Sequence, residues 1–270
     1  MPELPEVETV VRALRPGVVG RTITSVENDW PRQLVGHSLA QLRGLLIGRK
    51  ITTITRRAKH IVCELDGGDC LILHLRMSGH LAVESADALL HPHVHTRFGL
   101  DDGRELRFRD MRKFGTVTFA VDPDRVLGKL GPEPLAADFT PRLLQACLAR
   151  RRTRIKPLLL DQRVIAGIGN IYADEALFAA GIDPRRPADS MTEEEIGRLH
   201  HAIRHVLALG IAREGASIDS YVKPDGQKGD MQNAVRVFRR TGQPCDTCGT
   251  PISRIKLAQR STHFCPTCQR

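Results

Sequence analysis

The chain has 270 residues, enough for two or three compact units and a sizeable buried core. Lys and Arg outnumber Asp and Glu by 40 to 31, a formal charge of +9 that favours a polyanionic partner, nucleic acid before membrane, since no basic amphipathic helix or lipidation signal accompanies it. No run of about 18 apolar residues is available to span a bilayer, the acidic N-terminus is unlike a secretory leader, and an odd seven cysteines without such a leader point to a reducing, cytoplasmic interior.

The chain opens Met1-Pro2-Glu3-Leu4-Pro5-Glu6. A small second residue lets Met1 be removed, which would leave a secondary amine at the terminus. An α-amino group titrates at about 7.7–8.0, so much of it is an uncharged nucleophile at neutral pH. Condensed with a sugar C1′ carbon, such an amine forms an iminium with no N–H proton to lose, and Glu3 stands next to it to move protons. The other reading is that Pro2 and Pro5 merely open a helix. From Pro5 to about Leu14 the positions of Val7, Val10, Val11 and Leu14 predict that helix, stopped by Pro16-Gly17. Alternating runs then predict strands over 21–26, 50–55, 60–65, 70–75, 80–84, 96–100, 105–109 and 115–121, with turns at Gly67-Gly68, Ser78-Gly79 and Asp101-Asp102-Gly103. Strands at this density after one leading helix predict a β-sandwich ending near Asp124. Gly131-Pro132-Glu133-Pro134 marks a boundary, and helical spacing follows over 141–150, 155–161, 171–180 and 192–213, the last opened by a Thr192–Glu195 capping box. A polar segment, 215–229, has the composition of a functional loop.

The last segment reads C-x2-C-x16-C-x2-C through Cys245, Cys248, Cys265 and Cys268. Two such turns set four thiolates for one tetrahedral zinc with no position left for water, a structural site; a redox pair is the alternative. Between the knuckles, Arg254, Lys256, Arg260, Ser261 and Thr262 fall on an expected β-hairpin, suited to phosphate contacts or simply to a solvated face. Gly167-Ile168-Gly169-Asn170 fails as a dinucleotide fingerprint but suits a turn opening a helix, either a phosphate seat or a plain corner. Arg150-Arg151-Arg152 with Arg154 and Lys156 is the densest basic run. His91, His93 and His95 alternate without a carboxylate or cysteine to complete a metal set, so they read as a polar loop or backbone contacts. His74 reads as a hydrogen-bonded core residue. Met77, Arg112 and Phe114 sit at strand ends, either edges of the core or apolar wedges with an arginine for entering a base stack. Lys59, in Arg56-Arg57-Ala58-Lys59-His60, is either a surface lysine or a proton donor and phosphate anchor near the amine.

Taken together, PELPEVET, RRAKH, HLRMSG, RDMRKFG, LGPEPL, GIGNIYADEALFAAGI and RSTHFCPTCQR resemble the formamidopyrimidine-DNA glycosylases along essentially the whole chain. Leu4, where the endonuclease VIII family usually has glycine, favours the oxidised-purine branch. The resemblance implies an α+β multidomain fold: an N-terminal β-sandwich flanked by helices (1–128), a helical helix–two-turn–helix domain carrying a lesion-recognition loop (129–235), and a C-terminal zinc-finger β-hairpin (236–270), with DNA in the cleft. It implies Pro2 as nucleophile, Glu3 as the acid aiding base release, Lys59 as proton donor in β-elimination and Arg260 in δ-elimination. Met77, Arg112 and Phe114 match the residues that fill the gap left by a flipped nucleotide; His93, Arg112, Arg151 and Asn170 match contacts to DNA backbone or orphan base. The implied partner is double-stranded DNA with damaged bases or abasic sites, bound by a monomer holding one structural Zn2+. An oxidised-pyrimidine glycosylase of the endonuclease VIII kind, and a non-catalytic zinc-dependent damaged-DNA-binding protein, are the alternatives. Two positions depart from the family pattern: Ala216, where a glycine pair is common, and Arg239, at a usual glycine.

Overall fold

Leu4–Val18 form helix α1 in the computed structural model, which describes residues 1–149 and 151–270. Arg150, counted above in the basic run and at the end of a predicted helix, lies outside the described residues. Glu3 caps α1 in extended conformation, and its N–H donates to the Glu6 carboxylate at 2.7 Å. The helix does not stop at Pro16-Gly17. Pro16 lies in the last turn, where its missing N–H forfeits one bond, and Val19 N–H still closes on the Arg15 carbonyl at 3.1 Å.

The strands of the sandwich are β1 (Ile23–Asn28), β2 (Leu34–Val35), β3 (Ile51–Arg57), β4 (His60–Leu65), β5 (Cys70–His74), β6 (Gly79–Ser85), β7 (Val94–Leu100), β8 (Arg104–Asp110) and β9 (Thr116–Ala120). One sheet has the order β1-β7-β8-β6 and the other β2-β9-β5-β4-β3, antiparallel except for the β2–β9 pair. Leu71, Leu73 and Ile61 of the second sheet, Val26, Phe98 and Leu106 of the first, and Val7, Val10, Val11 and Leu14 of α1 share one buried cluster. Apolar residues at period two face it from β4, β5, β8 and β9, which makes those strands visible in the sequence, while β1 and β3 reach it at a spacing of three, Ile23/Val26 and Ile51/Ile54, across a register shift. Two helices add to the predicted set: α2 (Leu39–Leu46) and the single turn α3 (Asp124–Leu127). Only Leu42 and Leu46 of α2 are buried, too few to print a period; its local mark is the Ser38–Gln41 capping box.

Helices α4 (Pro141–Leu148), α5 (Ile155–Leu160), α6 (Asn170–Ala180) and α7 (Glu193–Ala212) follow, then the hairpin of β10 (Ser253–Leu257) and β11 (Arg260–Phe264). Thr192 and Glu195 make the expected reciprocal cap on α7. The chain forms two compact units, Met1–Lys129 with Glu214–Asp230, and Leu130–Arg213 with Met231–Arg270. The polar segment 214–230, grouped above with the helical domain, therefore packs with the sandwich. Tyr221 explains this, because its ring joins the sandwich core cluster. Among the described residues no helix is long and apolar enough to cross a membrane.

Candidate active site and zinc centre

In the first unit, Pro2 and Glu3 are buried at the head of α1. Glu6, one turn in, is only 1% exposed, yet its carboxylate is satisfied: Oε2 accepts Glu3 N–H at 2.7 Å and Oε1 accepts Ala216 N–H at 2.8 Å. A buried acceptor with two backbone donors fixes the 214–230 segment behind the chain start. Gly215 must be glycine, since its φ is +83° and a Cβ would lie 2.8 Å from Glu6 Cγ. Ala216 is buried and outside the left-handed region, so this departure from the family's glycine pair strains nothing. The segment is fastened further by Ser220 Oγ donating to the Met77 carbonyl (3.2 Å) and by His80 Nε2–H donating to the Lys223 carbonyl (3.0 Å). Burial, with the Glu6 charge nearby, raises the Tyr221 hydroxyl above its ordinary pKa.

Lys59 is 5% exposed in the tight β3–β4 turn, next to Ala58 at φ +54°. Arg56 holds that turn, donating from Nη1 to the Ala58 carbonyl (2.9 Å) and from Nε to Glu8 of α1 (3.2 Å). The turn bearing Lys59 thus hangs from the helix that starts at Pro2-Glu3. Beside it, His60 and His74 are cross-strand partners with rings edge to face at 4.5 Å. Burial first, then neighbouring positive charge, lowers His60 to about 4 and His74 to about 2. His74 Nδ1 accepts Arg76 N–H at 2.9 Å, so it is the hydrogen-bonded neutral ring expected of it.

Met77 and the 110–115 loop are stitched together by one buried carboxylate that sequence reasoning missed. Asp110, fully buried, accepts from Ser78 Oγ (2.6 Å), Arg112 N–H (3.3 Å) and Gly115 N–H (2.6 Å). A Cβ on Gly115 would lie 2.5 Å from the Phe108 ring, so the loop needs its glycine there. Phe114 is left 53% exposed, with the Arg112 guanidinium 5.0 Å from its ring centroid. His91 and His93 are exposed before β7, while His95 is buried and bonded to Asp29 (2.7 Å), so the three do not form a metal set.

In the second unit, Lys156 of α5 is wholly buried. Its Nζ donates to the Ser261 carbonyl and to Thr262 Oγ1, both at 2.8 Å, and forms an ion pair with Asp174 Oδ1 at 2.7 Å. Asn170, the first residue of α6, donates from Nδ2 to the same Ser261 carbonyl at 3.0 Å. The glycine turn is shaped by Gln162, whose Oε1 accepts Gly167 N–H (2.8 Å) and whose Nε2 donates to the Ile168 carbonyl (2.9 Å). Asn170 and Arg260, far apart in sequence, therefore flank one anchored point of β11. Arg260 and Arg151 are exposed. Glu175, buried on α6, accepts the N–H groups of Arg236, Val237 and Phe238 at 2.8–3.0 Å, and burial raises its pKa. Arg239 holds φ +59°, which shows why glycine suits that position; an L-residue there costs about 1–2 kcal/mol.

The four thiol sulfurs of Cys245, Cys248, Cys265 and Cys268 lie within 4.8 Å of one another, with Cys245–Cys268 at 3.9 Å and Cys248–Cys265 at 3.5 Å. Tetrahedral zinc with bonds of about 2.3 Å needs sulfur edges near ~3.8 Å. The donors therefore fit Zn2+, and Thr247 N–H to Cys245 Sγ and Cys268 N–H to Cys265 Sγ, both 3.4 Å, supply the knuckle bonds. Phe178, Val237 and Ile252 pack beneath.

The chain thus joins a two-sheet sandwich with a buried Pro-Glu start, a helical unit and a four-cysteine hairpin. Three family models match in chain order: the formamidopyrimidine-DNA glycosylase N-terminal domain (1–117), its H2TH domain (130–222) and the zinc finger found in FPG and IleRS (242–270). The formamidopyrimidine-DNA glycosylase of Chloroflexus aggregans is 50% identical, covering 100% of this chain and 98% of its own. Two Lactococcus lactis FPG structures are similar, each 40% identical over 100% of both chains: a variant with Fapy-dG containing DNA (TM-score 0.93) and a complex with abasic-site DNA (TM-score 0.92). The chain belongs to the formamidopyrimidine-DNA glycosylase family.

Proposed function

We propose that this chain is a bifunctional DNA glycosylase and AP lyase. It excises oxidised purines, 8-oxoguanine and formamidopyrimidines, from double-stranded DNA and cuts the abasic site by β,δ-elimination in base excision repair. It acts as a monomer in the bacterial cytoplasm, at the nucleoid, with modules over 1–128, 129–235 (its 214–230 segment packing with the first) and 236–270. The observation that carries the reading is the buried Pro2-Glu3 step at the head of α1 in a chain of this family.

A base must leave the stack before its C1′ is reachable, at a cost of a few kcal/mol, and Met77, Arg112 and Phe114 fill the gap. Once Met1 is gone, the Pro2 nitrogen attacks C1′ and the C1′–base bond breaks, its electron pair leaving with the base as Glu3 delivers a proton. The amine then loses its proton and the C1′–O4′ bond opens, O4′ taking up a proton, which leaves an iminium with no N–H proton to shed; it stays cationic and acidifies C2′. Loss of a C2′ proton then expels the 3′ phosphate, with Lys59 as proton donor, and Arg260 grips the phosphate and serves the δ-elimination. His93, Arg112, Arg151 and Asn170 hold backbone or the orphan base. Cys245, Cys248, Cys265 and Cys268 hold Zn2+, which keeps the Arg260 hairpin in shape and takes no part in the chemistry.

Borohydride reduction during reaction with 8-oxoguanine duplex should trap a covalent complex through Pro2. An internal trapped peptide, or normal trapping by Pro2→Gly, would overturn the assignment. Protein that retains Met1 should bind the duplex yet form no trapped complex, with mass spectrometry reporting the terminus.

A further inference from the structure

Trp30 is the only tryptophan of the chain and lies just ahead of β2, half-buried. Its flanks are pinned to one residue of β7: Asn28 Nδ2 donates to Thr96 Oγ1 at 2.8 Å, and that hydroxyl donates to the buried Gln33 Oε1. The ring is thus a rigid platform. Lys113 Nζ lies over it, 4.2 Å from the centroid, and the Arg32 guanidinium is 5.7 Å from it. Lys113 is itself in the left-handed region at φ +60°, a conformation that strains an L-residue. This strained residue sits between Arg112 and Phe114, so a contact that holds it also restrains the backbone from which those two side chains project.

We propose that Trp30 is a positioning residue for the gap-filling loop: by holding the Lys113 ammonium over its ring it fixes the direction of Arg112 and Phe114, and so tunes affinity for DNA with a displaced nucleotide without touching the reacting atoms. The inference rests on the glycosylase reading above. A cation over tryptophan at an exposed site contributes enough to change a binding constant about two- to five-fold.

The test is a double-mutant cycle on zinc-loaded full-length protein, using a duplex with an abasic-site analogue opposite cytosine. Trp30→Leu and Lys113→Met should each weaken binding about two- to five-fold, and the double variant should be no weaker than either. Trp30→Phe should recover most of the loss, and abasic-site cleavage at saturating DNA should stay within about two-fold of wild type. Lys113 is exposed, so its variant keeps the test informative should Trp30→Leu fold poorly. Multiplicative losses in the double variant, or unchanged affinity in Lys113→Met, overturn the proposal. So would identical tryptophan emission from wild type and Lys113→Met. Absence of a borohydride-trapped complex in wild type would instead sink the glycosylase reading, while the binding cycle would still report on the pair.

Discussion

His60 and His74 illustrate how single residues carry a cost that depends on solvent. Folded, they titrate at about 4 and about 2; unfolded, near the ordinary 6.5. Between those values the unfolded chain binds more protons, so stability rises with pH there. The contribution is fully present above pH 6.5 and is lost as pH falls towards 4, and further towards 2 for His74. Thermal midpoints should therefore drop across this window, and His60→Gln with His74→Gln should flatten the slope. Lys156 is the second case. Lys156→Met would leave Asp174 buried without its cation, costing about 3–5 kcal/mol in urea unfolding, and adding Asp174→Asn should recover part.

At the scale of elements, Asp110 joins two loops. Asp110→Ala would strand the buried Gly115 N–H and leave the Ser78 hydroxyl and the Arg112 N–H only each other, at about 1–3 kcal/mol by thermal unfolding, and should weaken abasic-duplex binding at least as much as Phe114→Ala. The elements themselves were largely legible: alternating runs located the eight longer sandwich strands, and paired C-x2-C knuckles located the hairpin. What escaped depends on partners distant in sequence. Asp110, Lys156 and Glu6 look like ordinary charges until Ser78, Thr262 and Ala216 come round to meet them, 32, 106 and 210 positions away. The 214–230 segment hides its place in the sandwich because Tyr221 is an isolated core residue in a polar run. The zinc ligands needed no such partners, since each knuckle is local.

For the whole molecule, the +9 charge and the zinc hairpin make different demands. Binding to duplex should fall steeply with salt, log K against log salt giving a slope of about −0.9 for each phosphate contacted. Chelating the zinc should abolish tight binding while leaving the sandwich strands protected in hydrogen exchange, because the cysteine cluster and the sandwich core belong to different units. Tight binding by metal-free protein would contradict this.

The separation between Glu6 and Ala216 also sets an order of assembly on the ribosome. The head of α1 is synthesised first, but the backbone N–H that completes its buried carboxylate emerges 210 residues later. At about 5–20 residues per second that is a wait of roughly 10–40 s. During that interval the sandwich lacks Tyr221 in its core, and the amine end stays unbraced. Translation itself therefore delays the bracing of this end, so a nascent or prematurely terminated chain carries Pro2 and Glu3 without the framework that holds them in the complete fold.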